Sequence, residues 1–209
     1  MDPQISFTIT FVSLLVSSLL NIVESLRTSL PHVRHVLSLE ATITLIAAYF
    51  YSVFKTKHVN GNDWQQITQL RYLDWAFTTP MMLLVLCLIL SHNSKTKVTA
   101  MAYLGIVVVD LFMLYMGYLG ETKQLNRTTA DVAGYVGYIG IFAIIFKYVK
   151  KVSANYLIFG IYAIIWGMYG VVYYMDEYNK NMITNTLDMV AKAGVGIALW
   201  LYYTGVIHF

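Results

Sequence analysis

Six ionisable residues, Glu40, Arg71, Asp74, Asp110, Asp188 and Lys192, stand inside stretches that are otherwise apolar. On insertion scales such a group costs about 2.5–3.5 kcal/mol at the centre of a bilayer, so each needs a use or a partner. Arg71 and Asp74 are three residues apart and Asp74 and Thr78 four apart, which puts all three on one face of a helix. Asp188 and Lys192 are four apart on another. If those faces meet, two positive charges balance two negative ones, the cheapest way to keep four charges in a dry interior. The cluster then either fixes helix register or does chemistry. A deeply buried lysine is suited to Schiff-base formation, because desolvation frees its amine.

Helices must position these groups, and the composition provides for them. Of 209 residues, 58% are apolar and 12% charged, against roughly 25% charged in soluble domains. The mean hydropathy is +0.61. Disorder and a soluble enzyme are both excluded by so much apolar surface. Crossing a bilayer takes about 20 mostly apolar residues. Seven stretches qualify: Ile5–Ser25, Val33–Phe54, Ile67–Leu90, Val98–Leu119, Thr129–Val149, Ala154–Met175 and Met182–Ile207. The predicted fold is therefore an all-α membrane protein, a single seven-helix bundle over residues 1–209. The first stretch lacks the basic start of a cleavable signal. Seven basic residues (Arg27, Arg34, Lys95, Lys97, Lys147, Lys150, Lys151) mark one side and five (Lys55, Lys57, Lys123, Arg127, Lys180) the other. That bias places the N-terminus outside and the C-terminus in the cytoplasm. A net charge of +3 gives no reason to expect a nucleic-acid partner, and the lone Cys87 permits no internal disulfide. The five histidines show no metal-binding spacing.

Two segments carry a resemblance. Arg71-Tyr72-Leu73-Asp74-Trp75-Ala76-Phe77-Thr78-Thr79-Pro80 is similar to the third-helix signature of microbial (type 1) rhodopsins. Asp188-Met189-Val190-Ala191-Lys192-Ala193-Gly194-Val195-Gly196 resembles their seventh-helix signature, which bears the retinal lysine. The chain length also resembles the short rhodopsins of large algal viruses. The resemblance implies all-trans-retinal bound as a Schiff base on Lys192, with Asp74 as primary counterion and first proton acceptor and Asp188 as second counterion. The physics agrees, since an iminium in a dry site keeps its proton only where anions stand close. Thr78 is placed to hydrogen-bond Asp74, and Arg71 to act as its charge partner from the outer side.

For the retinal slot the resemblance implies Trp75, Tyr162 and Trp166 as aromatic walls, with Met82 along the polyene and Met113 near the ring. Phe159 stands where the family usually has a tryptophan, and Ala163 where it usually has a proline. Each of these side chains could be ordinary core packing, but beside the Lys192 motif Trp75, Tyr162 and Trp166 are read as the pocket. Asp110 and Thr79 resemble a pair that bridges the third and fourth helices and tunes photocycle rate.

Val85 is the departure with most consequence. Proton pumps of the family often carry a carboxylic acid there, eleven residues past Asp74, to return a proton from the cytoplasm. Glu40, about two turns into the second span, or ~10 Å deep, is a substitute donor; a neutral, hydrogen-bonded glutamate is the other reading. Glu24, Arg27, Arg34 and His35 form either a proton-uptake cluster or an interfacial belt. Asp176 and Glu177 are read as a solvated loop pair or a release group.

The leading expectation is a light-driven outward proton pump. A light-gated cation channel is the alternative, with Ser13, Ser17, Asn21, Glu40 and Thr44 as a partial polar file that Ile46, Ala47 and Ala48 interrupt. A photosensor acting through a membrane partner, and a transporter without retinal, are further readings. No enzymatic turnover is expected. The expected partners are the lipid bilayer, transported protons or other cations, and copies of the same chain, as a pentamer before a trimer.

Overall fold

The computed structural model describes residues 2–61 and 63–207, so the ends of the expected 1–209 domain lie outside it. Its described residues are helical almost throughout. The elements are α1 (Pro3–Arg27), α2 (Pro31–Gly61), α3 (Trp64–Asn93), α4 (Ala100–Glu121), α5 (Arg127–Phe146), α6 (Ser153–Tyr173) and α7 (Glu177–Asp188). A π-helical turn, Met189–Gly194, follows α7 and leads into α8 (Val195–Tyr203), so these three make one continuous seventh helix. The helices from α1 to α6 are each long and apolar enough to cross a membrane. The seventh differs from expectation: it starts at Glu177, not Met182, and its first part is polar.

Local chemistry sets the helix starts. Asp2 caps α1 by accepting from the Gln4 N–H at 2.8 Å, and Pro3 follows at the position where a missing N–H costs nothing. Thr99 and Asn126 cap α4 and α5 in the same way.

The chain divides into two units. The first takes the residues up to Ile67 and from Asp176 onward. In it α1 packs along α2, tied where Ser18 Oγ donates to the Ala41 carbonyl at 3.0 Å. Asn185 Nδ2 donates to Ser6 Oγ at 2.9 Å, which pins α7 to α1. Phe7 is the centre of an aromatic group with Tyr51, Phe54, His58 and Trp64.

The second unit is Thr68–Met175. Here α5 lies close on α4: a Cβ at Gly137 would stand 2.9 Å from Met113 Cβ, so only glycine allows the approach. Tyr135 and Tyr138 donate to the carbonyls of Gly167 and Ala163, joining α5 to α6. Tyr103 reaches from α4 to the Pro80 carbonyl in α3. Asn155 is fully buried, and its amide donates to the carbonyls of Leu90, Tyr148 and Val149 while accepting from Asn93.

Candidate functional site

In the first unit the π-helical turn carries Lys192. Its Nζ lies 3.7 Å from Asp188 Oδ1, with the lysine side chain 1% exposed and the aspartate fully enclosed. The other carboxyl oxygen, Oδ2, accepts from the Tyr51 hydroxyl at 2.8 Å. A buried charge persists only when paired and hydrogen-bonded, and Asp188 has both a cation and a donor. Tyr51 is absent from the sequence-derived site. It stands 137 residues from Asp188, and nothing in the spacing of α2 marks it.

Glu40 is also in this unit, buried to 1% exposure on α2. It lies nine residues from the helix start at Pro31, or ~13 Å along the axis. Ser17 and Asn21 of α1 are fully buried beside it, and Thr44 returns its hydroxyl to the Glu40 carbonyl at 2.8 Å. Beyond Thr44 the buried side chains of α2 are Ala47, Ala48 and Phe50, until Tyr51. Ser13 is only half-buried. Of the outlying charges, Arg27 is 75% exposed and 4.0 Å from Glu24, Arg34 donates to the Thr28 carbonyl, and His35 is exposed. Their exposure fits the interfacial belt.

The second unit contains the α3 signature. Arg71, Asp74 and Thr78 are buried on one face of α3, as their spacing requires. Thr78 departs from expectation: its hydroxyl donates to the Asp74 backbone carbonyl at 2.9 Å. Helical threonines commonly bond one turn back in this way. Thr79 Oγ1 donates to Asp110 Oδ2 at 2.7 Å, the expected bond between α3 and α4. Val85 is fully buried, and Met82 is buried too.

Trp75 is half-buried, its ring edge-on to Tyr72 and Tyr169 at 5.1 and 5.4 Å. On α6, Tyr162 and Trp166 are buried and Phe159 half-buried. Phe142 of α5 meets Phe159 at 5.5 Å and Trp166 at 6.1 Å, and so joins them. Phe142 is absent from the sequence-derived site, since nothing in the spacing of α5 marks it. Met113 is half-buried, its backbone turned to Gly137.

Asp176 and Glu177 are not a loop pair. Asp176 is the N-cap of α7, accepting from the Asn179 N–H at 3.0 Å, and Glu177 in the first turn bonds Lys180 Nζ at 2.8 Å.

The profile of bacteriorhodopsin-like proteins matches residues 2–206. Viral rhodopsin OLPVRII is 33% identical, with a TM-score of 0.94 over 98% of this chain and 99% of that one. A proton-pumping rhodopsin from the marine alga Acetabularia acetabulum is 21% identical, with a TM-score of 0.80 over 97% of this chain and 95% of that one. The light-driven proton pump of Coccomyxa subellipsoidea is 22% identical, with a TM-score of 0.77 over 95% of each. These last two share the fold. No curated protein sequence matches the chain.

Proposed function

Because this chain belongs to the bacteriorhodopsin-like family of retinal-binding, multi-pass membrane proteins, we propose that it is a light-driven outward proton pump. Its residues fit the cofactor: Lys192 offers one buried amine with a carboxylate 3.7 Å away, and α5 and α6 supply clustered aromatic rings. We assign Lys192 Nζ as the Schiff-base attachment point of all-trans-retinal, and Trp75, Met82, Met113, Phe159, Tyr162 and Trp166 as the apolar side chains that grip it. When bound, retinal supplies light absorption and a light-driven change in the proton affinity of that nitrogen.

The chain's own residues do the rest. Asp188, steadied by Tyr51, keeps negative charge beside the Lys192 nitrogen and so holds a proton there in the dark. Asp74 takes that proton after illumination, and Arg71 balances the Asp74 charge. Asp110, bonded to Thr79, braces α3 against α4. Glu40 returns a proton from the cytoplasmic side, where Val85 has no group to do so. The N-terminus faces outward in this reading.

One observation carries the pump over the channel. Glu40 is buried, and the buried α2 side chains between Thr44 and Tyr51 are apolar. A relay can cross such a dry stretch one proton at a time when a donor changes state, whereas a conducting file needs polar groups along its length. Ser17, Asn21, Glu40 and Thr44 favour the channel as the second reading, since they are buried polar groups in the same unit.

The test is light-driven pH change. Cells making the protein with retinal supplied acidify their medium under light; a protonophore abolishes the signal, and Lys192→Ala never shows it. Light-driven alkalinisation, or an acidification that Lys192→Ala retains, contradicts the reading.

A further inference from the structure

The polar side chains of α1 beside Glu40 have no part in the proton relay through Lys192, Asp74 and Glu40. Ser17 and Asn21 are fully buried. Asn21 Nδ2 donates to the Ser17 carbonyl at 2.8 Å and to Ser17 Oγ at 3.4 Å, while the enclosed Asn21 Oδ1 has no hydrogen-bond partner among the described residues. A buried amide oxygen without a donor is costly, and few are kept without a reason. The third wall is α8. Gly196 is buried, and a Cβ there would press on Ser17 Oγ and lie 3.1 Å from Asn21 Nδ2 and 3.3 Å from Glu40 Oε2. The hydroxyl, the amide and the carboxyl therefore converge on one point of the α8 backbone, which glycine alone leaves open. Groups that converge so closely are within reach of one direct or water-mediated hydrogen bond.

We propose that Asn21 is the positioning residue for Glu40, its amide serving both states of the carboxyl. An amide has an acceptor for the acid form and a donor for the anion. Oδ1 accepts from the Glu40 O–H, and the Nδ2 hydrogen that now meets Ser17 Oγ turns to the carboxylate once the proton has left. In that step the Glu40 O–H bond breaks, the proton passes toward the Lys192 nitrogen, and a proton from the cytoplasmic side later restores the acid. Gly196 makes room for the arrangement, and the Ser17 carbonyl fixes the amide's orientation. The inference rests on Glu40 as donor.

Light-minus-dark infrared spectroscopy and flash photolysis on the full chain, with retinal and in lipid, test it. Glu40→Gln removes a carboxyl C=O band and slows the return of the proton by about 10-fold or more, in line with loss of a positioned general acid. Asn21→Leu keeps that band but moves it to higher frequency, slows the return several-fold, and is rescued by azide, a small weak acid that carries protons in from solution. Gly196→Ala, which leaves Asn21 in place but fills the shared point, moves band and rate in the same direction and serves where Asn21→Leu does not fold. An unmoved band, an unchanged rate or a slowing that azide leaves in place overturns the Asn21 assignment while Glu40 stands. A Glu40→Gln variant with unchanged band and rate overturns the donor itself, and this inference with it.

Discussion

At Lys192 and Asp188 the charge pair was legible as a four-residue spacing, but the third member was not. Tyr51 joins them only because α2 runs beside the seventh helix, and its hydroxyl donates to Asp188 Oδ2 at 2.8 Å. Removing it leaves a buried carboxyl oxygen with less to bond. Tyr51→Phe is expected to cost about 1–3 kcal/mol, read as a lower thermal denaturation midpoint of the purified protein; an unchanged midpoint would show that the hydroxyl contributes nothing. Lys192→Ala, supplied with retinal, should stay colourless while keeping its helical circular dichroism. A coloured Lys192→Ala protein would place the chromophore elsewhere. Thr78 teaches the opposite lesson: the spacing put it near Asp74, yet could not say whether carbonyl or carboxylate would receive its hydroxyl, and the carbonyl did.

Among the elements, α1 to α6 could be read from apolar run length, because lipid-facing helices declare themselves by hydropathy. The start of α7 could not. Its Lys180, Asn181, Thr184 and Asn185 are buried against protein, where hydrogen bonds such as Asn185 to Ser6 satisfy them, and a hydropathy scale sees only their polarity. The π-helical turn at Lys192 has no sequence signal of its own. Asp176 starts α7, and the Asn179 backbone N–H, then its side-chain amide, hold the Asp176 carboxyl below the usual carboxylate range. The cap therefore adds stability that is fully present above the unfolded value of about 3.9 and is lost as pH falls through the lower folded value. Asp176→Asn should lose less thermal stability than the parent below that point; parallel losses would contradict the cap's role. Asn155 governs another joint. Its donation to three carbonyls ties the end of α3 to the turn before α6, so Asn155→Ala should speed limited tryptic cleavage at Lys147, Lys150 and Lys151. Unchanged cleavage would show that the turn is held without it.

On the scale of the whole molecule, apolar faces point outward: Ile9, Val12, Val16 and Leu19 on α1, and Leu104, Val108 and Tyr115 on α4, are exposed. Water would penalise such faces, and a bilayer accepts them. The family was legible from two short motifs, since Asp74 and Lys192 bring their neighbours with them. Direction of transport was not, because it depends on whether buried groups form a relay or a continuous file, and that is a property of packing. The proposed transport is a one-way relay through Lys192, Asp74 and Glu40. The most direct test is photocurrent against voltage, with retinal supplied and identical solutions on both sides. A one-way relay gives a current that stays outward on both sides of zero voltage and decays more slowly to its dark state in Glu40→Gln. A current that reverses near zero voltage would mean a passive pore, and would contradict it.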